Sequence, residues 1–345
     1  MGKSCLGLDI GSNQVKVVEL VKHRRHSRIN AWAKFAPPQI NPGSQMLTDP
    51  EALGAALRKT LDWYGIRTRR VVLGLNSPQI SIKQITLPRM TPKELEQAIQ
   101  LDIGDILKLP ANGDTQSVYH SYEVLNQGEE LDVLVVGCTR AFLDPYIAMI
   151  KAADLEPVVI DVAAFNLPRI LYNGSNSRIC YVDLGYSQTV IYVELRGAYS
   201  VYRVLPIGGQ LLDEAIAAAH DVDTAEAQRM KHTSSLEEML SSGSGSKHLL
   251  RSTLQQYVGG LLQTLDYLRS KMRASQINQV LDEIVLCGGI AHVKGFEDLF
   301  EQELGINVSI MNPFERYEVT AMSGIPEDHG AYANAVCLAA RGLIE

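Results

Sequence analysis

The chain has 345 residues, a formal net charge of −7, 46% hydrophobic and 21% charged residues. That is enough apolar material for one large domain or two ordinary ones, with no bulk attraction to nucleic acid or to an anionic membrane. No run approaches the roughly 18 apolar residues of a membrane span, and the N-terminus, with one lysine and no long apolar stretch, does not read as a signal peptide, so a cytosolic protein is expected.

In chain order, Cys5–Asp9 and Val15–Leu20 read as a strand pair around Asp9-Ile-Gly-Ser-Asn-Gln. A third strand, Arg28–Phe35, follows the basic cluster Lys22-His23-Arg24-Arg25-His26. Charges that keep a hairpin tip solvated account for that cluster; the sharper reading is a contact with an acidic partner or lipid headgroups. Asp49-Pro50-Glu51 opens a helix to about Tyr64, with Asp as cap and Pro at the first position. Val71–Leu75 and Ile80–Leu87 are predicted strands.

Thr91-Pro92-Lys93-Glu94 is a capping box, and Leu95, Ile99, Ile103, Ile106 and Leu107 share one face of the helix it starts. Strands near Val118–Val124 and Leu131–Cys138, a helix near Phe142–Ala153 and a strand Pro157–Ile160 complete a β-α-β-β-α-β block from about Ile82 to Ile160, read as an inserted α+β subdomain. Asp161–Leu171 is predicted as a helix.

A second Asp-x-Gly turn, Asp183-Leu-Gly-Tyr-Ser-Gln, sits in the apolar run Ile179–Glu194; a strand Tyr199–Leu205 then leads to Gly208-Gly209, which opens a helix to about Ala219. Thr224–Lys231 is a further helix, Ser241–Ser246 a Ser/Gly loop, and Leu249–Met272 a long helix interrupted by Gly259-Gly260. Those two glycines cost about 1 kcal/mol each against alanine, so a bend or a close packing is expected there. The buried strand Glu283–Cys287 runs into Gly288-Gly289, and helices at Phe296–Leu304 and Gly330–Leu343 close the chain.

The repeated strand, Asp-x-Gly turn, strand unit points to a duplicated two-lobed fold whose hairpins face one cleft. Gly11 and Gly185 permit close backbone approach, while Ser12, Asn13, Gln14, Tyr186, Ser187 and Gln188 fill the two turns. Lys16 supplies positive charge if it points into the cleft. Asp9 and Asp183 suit a magnesium ion held through water. After the strand ending at Cys287, the missing side chains of Gly288 and Gly289 leave room for a flat base and its sugar. Five cysteines with no CxxC pair, and eight histidines with no HExxH spacing, read as buried apolar thiols and ordinary side chains, not zinc ligands.

In these features the chain resembles, over nearly its whole length, the actin-like ATPase superfamily: an α/β, two-lobed, ribonuclease H-like fold. Lys83–Pro88, Thr91–Pro110, Leu155–Val162 and the closing helix resemble the FtsA branch, and within it the PilM family of type IV pilus assembly proteins. The resemblance implies a first lobe of residues 1–81, 161–177 and 326–345, an inserted FtsA/PilM-type subdomain at 82–160, a second lobe of 178–220 and 249–325, and a small nucleotide-side subdomain at 221–248. It implies ATP or ADP with Mg2+: the loops Gly11–Gln14 and Gly185–Gln188 cradle phosphates with Lys16 beside them, Asp9 and Asp183 hold the metal through water, and Gly208, Gly209, Lys231, Gly288 and Gly289 line the nucleotide. The relatives' Ala-Glu-x-x-Lys helix is matched by Ala227-Gln228-Arg229-Met230-Lys231, where Gln replaces Glu.

The partner implied is a PilN-like inner-membrane protein, whose N-terminal cytoplasmic peptide occupies a groove beside the inserted subdomain; self-association is compatible with the superfamily. The membrane is then reached only through that partner. No acid or base stands out to activate water, so slow or absent ATP hydrolysis is expected, with Gln14 and Gln188 candidates by type and place only. An FtsA-like filament protein is the structural alternative, lowered because the chain stops at Glu345 just after its last core helix. A small-molecule kinase is the enzymatic one, without a recognisable substrate insertion or catalytic base.

Overall fold

The computed structural model describes residues 3–23, 26–38, 47–109, 117–170, 176–243, 245–320 and 324–344. The first elements are β1 (Lys3–Ile10), β2 (Val15–His23), β3 (His26–Phe35), α1 (Pro50–Trp63) and β4 (Arg70–Leu75). β1 and β2 are antiparallel and β1 and β4 parallel. Their near-continuous apolar runs are those of strands covered on both faces. Arg24 and Arg25 of the basic cluster lie outside the described residues.

Asp49 caps α1 as expected, its carboxylate accepting from Ala52 N–H at 2.9 Å. The helix stops in a Schellman motif: Ile66 N–H donates to Leu61 O, Gly65 N–H donates to Asp62 O, and Gly65 has φ +66°. Ile66 is thereby turned into the core while Trp63 and Tyr64 are left outside it.

Next come β5 (Ser81–Pro88), α2 (Pro92–Leu107), β6 (Val118–Gln127), β7 (Glu130–Thr139), α3 (Arg140–Ala152) and β8 (Glu156–Val162). The chain divides into two compact units, of which the second comprises residues 38–58 and 76–154. In it, β5, β7 and β6 form an antiparallel sheet in that order. Leu95, Ile99, Ile103 and Leu107 of α2 are buried in a core shared with Val133 and Val135. The capping box at Thr91 and Glu94 is formed. The last strand of the predicted β-α-β-β-α-β series pairs elsewhere: β8 lies parallel to β4. It also runs on to Val162, where a helix was expected from Asp161, because Asp161 and Val162 still pair with Gly74 and Leu75. A short 3-10 helix, Ala163–Arg169, follows.

The remaining elements are β9 (Arg178–Leu184), β10 (Thr189–Leu195), β11 (Ala198–Leu205), α4 (Gly209–His220), α5 (Thr224–Thr233), α6 (Leu236–Ser241), α7 (Lys247–Lys271), β12 (Glu283–Cys287), α8 (Phe296–Leu304), β13 (Val308–Ile310), β14 (Glu318–Val319) and α9 (Ala333–Ile344). With these, the first unit holds two sheets, ordered β14-β3-β2-β1-β4-β8 and β11-β10-β9-β12-β13. α6 was not foreseen, although Ser235 and Glu238 form the capping box that starts it. α7 continues through Gly259-Gly260: a Cβ at Gly260 would come within 2.6 Å of Leu205 Cδ1, whereas one at Gly259 would meet nothing within 4 Å. Close packing explains Gly260, and nothing in the structure requires glycine at 259.

One core joins the two sheets. Cys5, Val18 and Val72 of the first, Tyr181, Val190 and Val285 of the second, and α9 form a single buried cluster. α9 lies against β1 so closely that a side chain at Gly7 would strike the Ala335 carbonyl. All five cysteines are free and buried. Among the described residues, no helix is long and apolar enough to cross a membrane.

Candidate functional site

The two Asp-x-Gly turns fold alike. Gly11 N–H donates to Gln14 O at 3.1 Å in the β1–β2 turn, and Gly185 N–H donates to Gln188 O at 3.0 Å in the β9–β10 turn. A Cβ would sit 2.8 Å from that carbonyl at Gly11 and 2.7 Å from it at Gly185. The same tight closure therefore demands glycine in both places. Ser12, Gln14, Tyr186, Ser187 and Gln188 are half-buried and Asn13 is exposed.

The carboxylates next to these turns converge. Asp9 pairs with Lys16 across the hairpin, and the Lys16 ammonium stands 3.9 Å from its carboxylate, both side chains largely buried. Burial pushes the Asp9 carboxyl up to about 6; Lys16 opposes the shift and the Asp183 charge adds to it. Asp183, next to last in β9, pairs with Cys287 of β12, and its Oδ2 accepts from Asn334 Nδ2 of α9 at 2.8 Å. The thiol of Cys287 is raised by burial and by both carboxylates, which places it in the field of the pair.

The chain then turns at Gly288, which has φ +94° and where a Cβ would lie 2.5 Å from Asp183 Oδ1. Its N–H donates to Gly330 O at 3.0 Å. A Cβ on the next residue, Gly289, would meet nothing within 4 Å. The turn thus sets a bare backbone surface beside the second carboxylate.

Gly208, Gly209 and Lys231 form a second group with Tyr186. Gly209 N–H donates to Gly185 O at 2.9 Å and Gln210 N–H to Tyr186 O at 2.8 Å. The first turn of α4 thus spends two of its otherwise unpaired donors on the second hairpin. The Lys231 ammonium is 3% exposed and lies 2.5 Å from Asp213, itself fully buried. It also stands 3.5 Å from Gly209 O and 5.7 Å from the Tyr186 ring centroid. Desolvation lowers the Lys231 pKa, against the pull of Asp213. Gln228 hydrogen-bonds the Tyr186 side chain.

Asp213 and Asn334 join the site although neither belongs to one of its sequence motifs. Asp213 is an acid on the apolar side of α4, among Leu212, Ala215 and Ile216, and such an acid without a paired cation would be costly. That was its signal, four residues after Gly209. Asn334 sits among the small residues of α9, and nothing local distinguishes it.

The donor set suits a magnesium-bound phosphate. A magnesium ion keeps several waters and takes one or two carboxylates, not a full protein cage. The Asp9 carboxyl, pushed up to about 6, is a group whose ionised form a cation would stabilise. Two closed glycine turns on either side and the open face of Gly289 leave backbone, not side chains, at the point of approach.

Known proteins resemble the chain over most of its length. A solved PilM-PilN type IV pilus biogenesis complex contains a chain that superposes with TM-score 0.82 at 24% identity, covering 98% of each chain. MreB5 of Spiroplasma citri, solved bound to ADP, superposes with TM-score 0.54 at 12% identity, over 97% of this chain and 94% of the other. The cell division protein FtsA of Bacillus subtilis (strain 168) is 20% identical over 350 residues, 89% of this chain and 78% of FtsA. The fold is the expected actin-like ATPase fold. Residues 7–343 match the family described as type IV pilus assembly protein PilM, and the chain belongs to that family.

Proposed function

We propose that the protein is an ATP-binding platform on the cytoplasmic side of a type IV pilus assembly machine, which binds the N-terminal cytoplasmic peptide of a PilN-like inner-membrane protein. The observation that carries this reading is the pair of identically closed glycine turns, each next to a carboxylate, in a chain that matches the family from residue 7 to residue 343. The partner is inferred from the solved PilM-PilN complex, and the nucleotide from the ADP-bound MreB5.

In this reading Gly11–Gln14 and Gly185–Gln188 hold the phosphates, Lys16 balances their charge, and Asp9 and Asp183 hold Mg2+ through water. Gly288 and Gly289 give the nucleoside its flat backbone face. Lys231, Gly208 and Gly209 act by fixing Tyr186 and the second turn. A bound metal ion supplies charge neutralisation between the phosphates and the two carboxylates. Nucleotide on both turns favours one closed arrangement of the first unit, and the peptide selects that arrangement, a population shift. Hydrolysis is slow or absent, with steady-state turnover below roughly 1 s⁻¹, the low end of ordinary enzymes.

The test is to identify any nucleotide that co-purifies, then titrate a PilN-like N-terminal peptide with and without Mg-ATP. Tighter peptide binding with ATP is expected. If Asp9→Ala abolishes nucleotide binding yet leaves peptide affinity unchanged, the nucleotide dependence is refuted.

A further inference from the structure

The end of the first sheet farthest from the nucleotide turns is basic, on a chain whose net charge is −7. Lys3 opens β1 opposite Lys22, and Arg28 lies in register with Val21. Arg70 opens β4, one residue before the Leu6–Val71 pair. Arg67 is exposed in the segment that enters β4. Thr68 Oγ1 binds Ser4 Oγ at 2.8 Å, which pins this segment to the start of β1. These strand ends stand about 20 Å along β1 from Asp9.

Among the nearby acids, Glu156 and Glu318 offset Arg70 and Arg28, which leaves Lys3, Lys22 and Arg67 as the bases without an acid in register. Glu19 is buried, accepting from Asn30 and from Thr68 at 2.5 Å each. Asp62 lies in the last turn of α1. Beside this ring, the Schellman end of α1 displays Trp63 at 84% and Tyr64 at 48% exposure, held by the buried anchor Ile66. A large aromatic surface fixed in water next to basic side chains matches the headgroup layer of a bilayer, where Trp and Tyr rings settle and Lys and Arg meet anionic lipid.

We propose that this end of the first sheet docks directly on an anionic membrane surface, with Trp63 and Tyr64 at headgroup level and Lys22 and Arg67 against the lipid phosphates. This contact would add a second attachment besides the membrane partner, and it does not depend on nucleotide.

The experiment is sedimentation of the full chain with vesicles of phosphatidylcholine alone, or of phosphatidylcholine with phosphatidylglycerol, at low and high salt. Binding to the anionic vesicles only, weakened by salt, is expected. Lys22→Gln lowers partitioning about fivefold, equivalent to about 1 kcal/mol per basic side chain near the surface. Lys271→Glu, on α7, leaves it unchanged. In a Trp32→Phe background, Trp63 is the remaining tryptophan, and its emission shifts to the blue with anionic vesicles. This readout needs no change in charge, so it stands even if the doubly reversed Lys22→Glu, Arg67→Glu chain fails to fold. Equal binding to neutral vesicles, unshifted Trp63 emission, or undiminished binding by that doubly reversed chain in folded form overturns the proposal. So does binding to heparin or an acidic peptide without binding to vesicles.

Discussion

Lys16 stands directly across the first hairpin from Asp9, its ammonium 3.9 Å from a carboxylate that burial has pushed up to about 6. The contact offsets only part of the cost of keeping Asp9 ionised. The folded chain therefore holds this proton to a higher pH than the unfolded chain, and stability falls as pH rises from about 4 to about 6.

Asp9→Asn removes that slope. Without nucleotide, the variant should gain on the wild type across this window and remain ahead at pH 7, by at most about 3 kcal/mol for a carboxyl raised from 3.8 to about 6. Urea unfolding at a series of pH values measures the difference, and a constant gap between the two proteins would contradict the assignment. Mg-ATP should narrow the gap by stabilising the wild type alone.

The Lys231–Asp213 pair gives a second prediction. Both side chains are buried, so Lys231→Met or Asp213→Leu alone leaves an uncompensated charge and should cost about 3–5 kcal/mol. The double variant should recover most of that loss. A double-mutant cycle in denaturant checks it; additive losses would show that the two groups do not depend on each other.

The adjacent glycines after Cys287 should separate folding from binding. Gly288→Ala forces a side chain into a left-handed backbone position and against Asp183, so it should lower stability by more than about 1 kcal/mol. Gly289→Glu points into open space and should fold like the wild type while losing nucleotide affinity, measured by titration with a fluorescent ATP analogue. An unaltered affinity would remove this turn from the site.

α7 offers a control independent of the site. Gly259→Ala should stabilise by about 0.5–1 kcal/mol through helix propensity. Gly260→Ala meets Leu205 Cδ1 and should be less stable than Gly259→Ala in thermal unfolding. Equal stabilities would mean that Leu205 moves aside without cost.

What the sequence made legible was local and repeated. The apolar runs, the Thr91 capping box and the Asp49 cap marked element starts because each is settled within four residues. The twin Asp-x-Gly turns carried the site because one glycine requirement recurs in both. Less legible were features decided at long range. The strand at Glu156–Val162 resembled part of the inserted block until its pairing with β4 was known. Asn334 reaches Asp183 across 151 positions of sequence, and no periodicity announces such a contact. Lys231 was expected on the nucleotide by resemblance, while the structure shows what holds it: Asp213, an acid inside the helix expected from Gly208-Gly209 to about Ala219.

α9 has a mechanical consequence. It lies flush against β1, shares the buried cluster that spans both sheets, and lends Asn334 to the carboxylate at the end of β9. The two halves of the first unit cannot part at this end without exposing that core to water. Any opening to admit or release a ligand must therefore pivot here, with α9 as the axle, and the widest travel falls on the parts of the turns farthest from it.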